Sequence, residues 1–273
     1  MRTLSMLPGG IYRDGRHHRV ARFYPITGAV EMAVASHDHE ADSRPDRVSH
    51  ILASAVEKIG DLPMSPGLAQ EMAVGDRIFL MLRLGILING DEVWLTAVCG
   101  HCKKQFDLCV KRSNLCVRGA NAHYPNASVD LKGTTVRVRA PVGADQQWLC
   151  NHHPAHPSRA LLERCVMTVD GEPPNDAFLA GLSTEDQALV EKTLSAMGPE
   201  VACAFSVACP ECDKAQEIIF DPYRLQGSIN DLDAQIHTLA FYYHWSEPQI
   251  LGITTLRRHR YLTLIEKECG HHV

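Results

Sequence analysis

Long apolar runs, aromatic side chains, a strong charge of either sign and any recognisable catalytic motif are all scarce in this chain of 273 residues. The most apolar run, Ile78 to Ile88, is too short to cross a bilayer and is interrupted by Arg83, so no membrane segment is expected. The first ten residues, MRTLSMLPGG, lack the apolar centre of a secretory signal, which predicts synthesis and folding in the cytoplasm. A net charge of −5 argues against broad nonspecific binding to nucleic acid. Aromatic residues reach only 6%, but hydrophobic residues reach 45%, enough for real cores in one large domain or two smaller ones. Ser, His and Asp are plentiful, yet none sits in a nucleophile elbow, a phosphate-binding loop or a paired-carboxylate pattern. No enzymatic activity is expected.

Cysteine, by contrast, is abundant, with ten in the chain. In a reducing compartment, C-x-x-C turns signal metal or redox chemistry more often than structural disulfides. Two such turns are present, Val98-Cys99-Gly100-His101-Cys102-Lys103-Lys104 and Ala208-Cys209-Pro210-Glu211-Cys212-Asp213-Lys214. Brought together, Cys99, Cys102, Cys209 and Cys212 offer the four thiolates that suit tetrahedral Zn²⁺, and four protein ligands leave no open position, so the metal's work is structural. An iron–sulfur cluster is the rival centre. A thiol–disulfide exchange enzyme is a weaker reading, because it needs only one such turn.

The flanks of the two turns match. Asp76 precedes Cys99 by 23 positions (99 − 76), and Asp186 precedes Cys209 by 23 (209 − 186). Each interval reads as acidic helix start, helix, glycine-containing turn, strand, then C-x-x-C. The expected organisation is an N-terminal part (1–74), two similar modules (75–111 and 183–221) around an α/β insertion (112–182), and a C-terminal helical unit (222–273). Cys109, Cys116, Cys165 and Cys203 lie in apolar contexts that predict buried, inert thiols. Cys150 with His152, His153 and His156 reads as a surface loop, as do His37, Asp38, His39 and Glu40. Cys269, His271 and His272 belong to the chain end.

The fold class is α+β, with a zinc-ribbon-like centre built from two strand–C-x-x-C–strand knuckles. Expected strands are Val20 to Tyr24, Ala29 to Val34, Glu92 to Val98, Gln105 to Lys111, Thr134 to Arg139 and Val201 to Val207, with an exit strand at Ile218 to Phe220. Arg137 and Arg139 alternate as on a solvated strand face. Expected helices run from the N-cap Ser49 to Gly60, from Leu68 to Ala73, from Gly75 to about Leu87, within 143–168, and from Thr184 to Met197 behind a Ser183–Asp186 cap. Three more close the chain, from Asp231 to His244, after Ser246, and from Thr254 or Thr255 to near Lys267. Leu232, Ile236, Leu239, Tyr243, Ile250, Leu256, Tyr261 and Leu264 are their expected packing residues. Arg257, Arg258 and Arg260 fit either a helix-turn-helix on DNA phosphates or a protein-docking face with aromatic and Arg anchors, and the acidic balance favours docking.

The run IHTLAFYYHWSEPQILGITTLRRHRYLTLIE resembles the C-terminal signature of baseplate proteins of contractile phage tails and related injection systems. His237, Leu239, Ala240, Tyr243, His244, Trp245, Ser246, Glu247, Ile250, Leu251, Arg257, Arg258, Tyr261 and Leu262 match that pattern. Gly75-Asp76-Arg77 and both C-x-x-C turns also stand in the family's order. Pro25-Ile26-Thr27-Gly28 and the segment from Arg139 to Asp145 are weaker matches. Gly100-His101 replaces the commoner Pro-containing turn without losing a thiolate, and Thr254-Thr255 replaces a Pro-containing link. The resemblance implies a structural component of a baseplate or hub in a multimeric assembly. Its partners would be hub, spike or tube-initiator proteins, with docking through His237, Tyr243, His244, Trp245, Arg257, Arg258 and Tyr261, and its final location the tail particle. Alternatives are a zinc-dependent nucleic-acid-binding regulator and an assembly chaperone absent from the finished particle.

Overall fold

In the computed structural model, which describes residues 3–36, 44–225 and 229–270, the chain is α+β throughout. It opens with a hairpin of β1 (Leu4–Arg13) and β2 (Arg16–Phe23), turned by Asp14 and Gly15 at positive φ. Helices α1 (Gly28–Ser36) and α2 (Arg44–Ala55) follow, then β3 (Val56–Ile59) and a short β4 (Leu62–Pro63). These strands form one antiparallel sheet of order β1-β2-β3-β4. The six-residue α3 (Pro66–Glu71) is capped by Ser65, whose side chain accepts from Leu68 N. The apolar α4 (Val74–Asn89) comes next, and β5 (Glu92–Val98) with β6 (Gln105–Lys111) forms the first knuckle hairpin.

After β7 (Val117–Arg118) the same series begins again. A second hairpin of β8 (Asn126–Leu131) and β9 (Thr134–Arg139) turns at Lys132 and Gly133, again at positive φ. Then come α5 (Gly143–His152), α6 (Pro157–Cys165), β10 (Val166–Val169), α7 (Asp176–Gly181) and α8 (Thr184–Met197). The short β11 (Glu200–Val201) pairs with β7, and β12 (Ala204–Ala208) with β13 (Ala215–Ile219) makes the second knuckle hairpin. From β3 onward the match has no gaps. β10 and α7 lie 110 positions after β3 and α3 at both ends (166 − 56 and 169 − 59, 176 − 66 and 181 − 71). Asn175 caps α7 as Ser65 caps α3, and Asp170 repeats the positive φ of Gly60. Buried positions repeat in the same register: Leu52 with Leu162, Val56 with Val166, Met72 with Leu182, Leu80 with Val190 and Leu84 with Leu194. Residues 4–111 and 126–219 are therefore two copies of one element series, each around its own core. The matching stretch is longer than the two modules expected from the sequence, and most of the supposed insertion is the front half of the second copy.

The last three helices repeat part of that series. In α9 (Ile229–Tyr243), α10 (Glu247–Gly252) and α11 (Thr255–Gly270), the last two lie 181 positions after α3 and α4 at both ends (247 − 66 and 252 − 71, 255 − 74 and 270 − 89). Ser246 stands at the N-cap as Ser65 does. The unit α9–α10–α11 thus reproduces α2–α3–α4 without the intervening strands. Its core is Leu239, Ile250 and Ile265, wrapped by Ile236, Tyr243, Trp245 and Tyr261. Three expected packing residues do not join it: Leu256 and Leu264 are 66% and 49% exposed, and Leu232 is buried outside this cluster.

Two of the three-helix units are closed by the start of another helix, in the same way. Ala73, before α4, bridges antiparallel to Val142, before α5, and Val74 N donates to Pro141 O at 3.1 Å. Thr254, before α11, bridges to Thr27, before α1, and Thr255 N donates to Ile26 O at 3.0 Å. Each joint traps an arginine at the fourth helical position, Arg77 (0% exposed) and Arg258 (1%). A glycine opening the partner helix lies over it. A Cβ on Gly143 would stand 2.5 Å from Arg77 Nη1, and one on Gly28 would stand 2.9 Å from Leu251 Cδ2 and 3.1 Å from Arg258 Nη1, so a side chain at either position would force its neighbours to shift.

Two sequence expectations need correction. Ala29 to Val34 is helix rather than strand, because Thr27 caps it and the joint with α11 fixes its start. Ser49 is buried inside α2 rather than at its N-cap, donating to Pro45 O and accepting from Arg77 Nη1, and the chain from Val56 to Ile59 leaves the helix to pair with β2. His37 to Glu40 and His271 and His272 lie outside the described residues.

Asp76, the third residue of α4, ties the first hairpin down: its carboxylate accepts from Gly9 N (2.8 Å) and Gly10 N (2.7 Å). Burial pushes its pKa up to about 6, against the lowering effect of those two amides. Between an unfolded value near 3.8 and the folded value near 6, the folded chain binds the extra proton, so this residue's contribution to stability falls as pH rises through that window. The total change is about 3 kcal/mol, from roughly two pKa units. Denaturant midpoints of wild type and Asp76→Asn, compared at several pH values, are expected to show a stability difference that moves by this order between pH 4 and 7. A pH-independent difference would refute the assignment.

Candidate metal centre

Each knuckle is built by local backbone chemistry. The strand delivers the first cysteine, whose N–H donates to the lysine carbonyl five residues on: Cys99 N to Lys104 O at 2.9 Å, and Cys209 N to Lys214 O at 3.0 Å. The chain then turns back, with Lys103 N on Cys99 O and Asp213 N on Cys209 O. Lys103 and Asp213 hold φ of 62° and 56°, the left-handed conformation that lets a four-residue turn reverse so tightly. The two turns superpose in every bond named here, 110 positions apart (209 − 99).

The four sulfurs converge. All lie within 4.8 Å of one another, with Cys99 Sγ to Cys212 Sγ and Cys102 Sγ to Cys209 Sγ both at 3.8 Å. These separations are far beyond the about 2.05 Å of a disulfide. Cys99 and Cys209 are fully buried, and Phe106, Leu108, Ala97 and Val207 pack around the group. The Cys102 amide, first, and the His101 amide point at Cys99 Sγ and push its thiol down to about 6. Such N–H donors stabilise thiolate, the form that binds metal. Two further contacts cross between the knuckles: Gly100 N donates to Gln216 Oε1 at 3.0 Å, and Lys104 pairs with Glu211 at 2.5 Å. Four cysteines in this arrangement can hold a metal ion. Among the described residues, no other set of His, Cys, Asp or Glu ligand atoms gathers in this way.

The remaining expected site residues divide. Tyr243, Trp245 and Tyr261 pack on one another, with ring centroids 4.9 to 5.4 Å apart, and form the outer core of the last helical unit. His237, His244 and Arg257 are exposed, and Arg257 lies over the Tyr261 ring. Arg258 is not available for docking. Its guanidinium is buried, paired with Glu31 and donating to Gln235 Oε1, so its role is internal. Arg139 is likewise engaged, in a bidentate pair with the buried Asp145. Of the thiols expected to be buried, Cys109 and Cys116 are exposed, Cys109 beside Trp94 on the outward face of its hairpin. The Arg77 and Arg258 joints were missed in the sequence, although the glycine opening each partner helix was a visible signal.

No helix among the described residues is long and apolar enough to cross a membrane. Comparison of the chain with protein-family models, curated proteins and solved structures returned no match.

Proposed function

We propose that this chain is a structural component of a contractile-tail baseplate or its central hub, stapled by one zinc ion on Cys99, Cys102, Cys209 and Cys212. The observation that carries the metal assignment is the spacing of the sulfurs. Tetrahedral zinc with Zn–S bonds of about 2.3 Å requires S···S edges of about 3.8 Å, and two of the edges are 3.8 Å. An iron–sulfur cluster places several bridged irons between its thiolates and spreads them further, so a single ion fits this group better. The zinc-ribbon description follows from two strand–turn–strand knuckles facing each other across the ion. Four protein ligands leave no place for substrate, which suits a staple.

The tail assignment rests on the signature residues of the C-terminal run. Supporting it, Leu239, Tyr243, Trp245, Ile250 and Tyr261 from that run all serve one compact unit. Its exposed positions, including His237, His244 and Arg257, then face neighbouring hub, spike or tube-initiator subunits. Arg258 has no share in DNA contact, which removes one of the three charges on which a helix-turn-helix reading relied. The test is mass spectrometry of purified particles with metal analysis of the same material, from wild type and a Cys99→Ser/Cys209→Ser double mutant. The chain is expected in wild-type particles with zinc, and assembly is expected to fail in the mutant. Normal baseplates formed around a metal-free double mutant would overturn the proposal, and particles lacking the chain would point to an assembly chaperone.

A further inference from the structure

The two knuckle hairpins match position for position, 110 residues apart, and exposed side chains alternate with buried or half-buried ones along all four strands. The buried and half-buried places on β5, β6, β12 and β13 are apolar with one exception, Gln216 on β13. We infer that Gln216 is a positioning residue of the metal centre. Its side-chain amide holds the Gly100 turn of the first knuckle, as the fixed φ of Pro210 holds the second. The inference rests on the proposed metal site.

The two turns differ in how they are restrained. Pro210 stands at the position equivalent to Gly100 (210 − 100 = 110), and Phe106 at the position equivalent to Gln216 (216 − 106 = 110). In the second knuckle the proline ring fixes φ and removes the N–H, so that turn needs no outside acceptor there. In the first knuckle glycine leaves the backbone its widest freedom and adds a donor. The next two amides, His101 N and Cys102 N, point at Cys99 Sγ. Gly100 N instead donates to Gln216 Oε1 at 3.0 Å. Because Gln216 belongs to the opposite hairpin, this bond restrains the turn and also sets the knuckles against each other. It acts where Cys99 Sγ meets Cys212 Sγ and Cys102 Sγ meets Cys209 Sγ, each at 3.8 Å.

Stability alone does not account for a glutamine at this place. Its Nε2 is shut away from water without a hydrogen-bond partner, a cost that offsets what Oε1 gains. Phe106 shows the apolar solution at the equivalent position, buried in the group around the cysteines. The contribution of Gln216 is therefore geometric: it pre-arranges the four sulfurs, so that less ordering is left for the metal to impose. Gly100 is not at positive φ, and a Cβ there would meet nothing within 4 Å, so this turn has room for the proline its counterpart carries.

The test titrates the full chain with Zn²⁺ against a chromophoric zinc chelator, for wild type, Gln216→Leu and the double variant Gly100→Pro/Gln216→Leu. Thermal unfolding of the metal-free forms is recorded beside it. Wild type is expected to take up one equivalent. Gln216→Leu is expected to bind about three- to tenfold more weakly, the equivalent of one net hydrogen bond, with an unchanged metal-free midpoint. The double variant is expected to return to within about twofold of wild type, because proline removes the stranded donor and restores the restraint. Unchanged affinity in Gln216→Leu, or a double variant no tighter than Gln216→Leu, would overturn the inference while leaving the metal site standing. A metal-free midpoint that falls in Gln216→Leu would assign the residue to packing instead. Wild-type chain that takes up no zinc would overturn the metal site itself, and the role of Gln216 with it.

Discussion

Serine in place of Cys99 or Cys209 is expected to abolish metal binding and unfold both knuckle hairpins while leaving the two larger cores intact. Structural zinc in small domains contributes about 10 to 16 kcal/mol of apparent binding free energy, comparable with the whole stability of an ordinary domain, about 5 to 15 kcal/mol. The local apolar support here is thin. Two-stranded sheets are marginal by themselves, and the buried residues at the site are only Cys99, Phe106 and Cys209. The cores around Leu52 and Leu80, and around Leu162 and Val190, are separate clusters with strands of their own. Metal loss should therefore be felt locally. Metal analysis together with hydrogen exchange checks this: the variants should contain no zinc and lose protection across 92–111 and 204–219, with protection kept in α4 and α8. One equivalent of metal retained, with both hairpins still protected, would show that the four cysteines are not the ligands. A chelator acting on wild-type protein should reproduce the variant's exchange pattern.

Arg258→Ala is expected to release the C-terminal helical unit from the rest of the chain. The guanidinium is 1% exposed, pairs with Glu31 and donates to Gln235 Oε1 at 2.7 Å. Its Nη1 is buried without a hydrogen-bond partner, against Gly28. Removing one partner of a buried pair leaves the other charge uncompensated and costs about 3 to 5 kcal/mol. That loss falls on a joint otherwise secured by the Thr27–Thr254 bridge, the Thr255 contacts and the packing of α1 on α9 and α10. Limited proteolysis is expected to cut the variant between 225 and 255 well before wild type, with exchange rising in α1. An Arg258→Met/Glu31→Leu pair removes both charges at similar volume and should recover much of the loss. If Arg258→Ala alone leaves proteolysis and exchange unchanged, the buried pair does not hold the joint. A surface salt bridge would be worth far less, which makes the size of the effect diagnostic.

Some of this architecture is local chemistry, and that part was legible in the chain. A C-x-x-C turn needs only two thiols and a backbone able to reverse, so the four cysteines that can hold a metal ion could be named from spacing alone. The Ser183–Asp186 cap is also local: both hydrogen bonds close within four residues, and α8 begins and ends where the pattern places it. Similarly, the starts of α4, α10 and α11 follow from cap and helix spacing. The equal leads of Asp76 and Asp186 pointed to repetition, although the two aspartates do different work, one gripping a distant hairpin and the other capping its own helix.

What only the tertiary structure decided involves partners far away in sequence. Whether Ala29 to Val34 and Val56 to Ile59 are helix or strand depends on a bridge to Thr254 and on pairing with β2, neither of which a short window contains. The fate of Arg258 depended on Glu31, 227 residues earlier, and an arginine's own neighbours do not say whether it faces water or a buried carboxylate. The three-helix unit recurs with few identical residues because burial constrains volume and helix spacing far more than identity. The cysteines and their metal-ready turns belong to the sequence itself. The convergence of the four sulfurs and the joints that bury Arg77 and Arg258 exist only once the chain has folded.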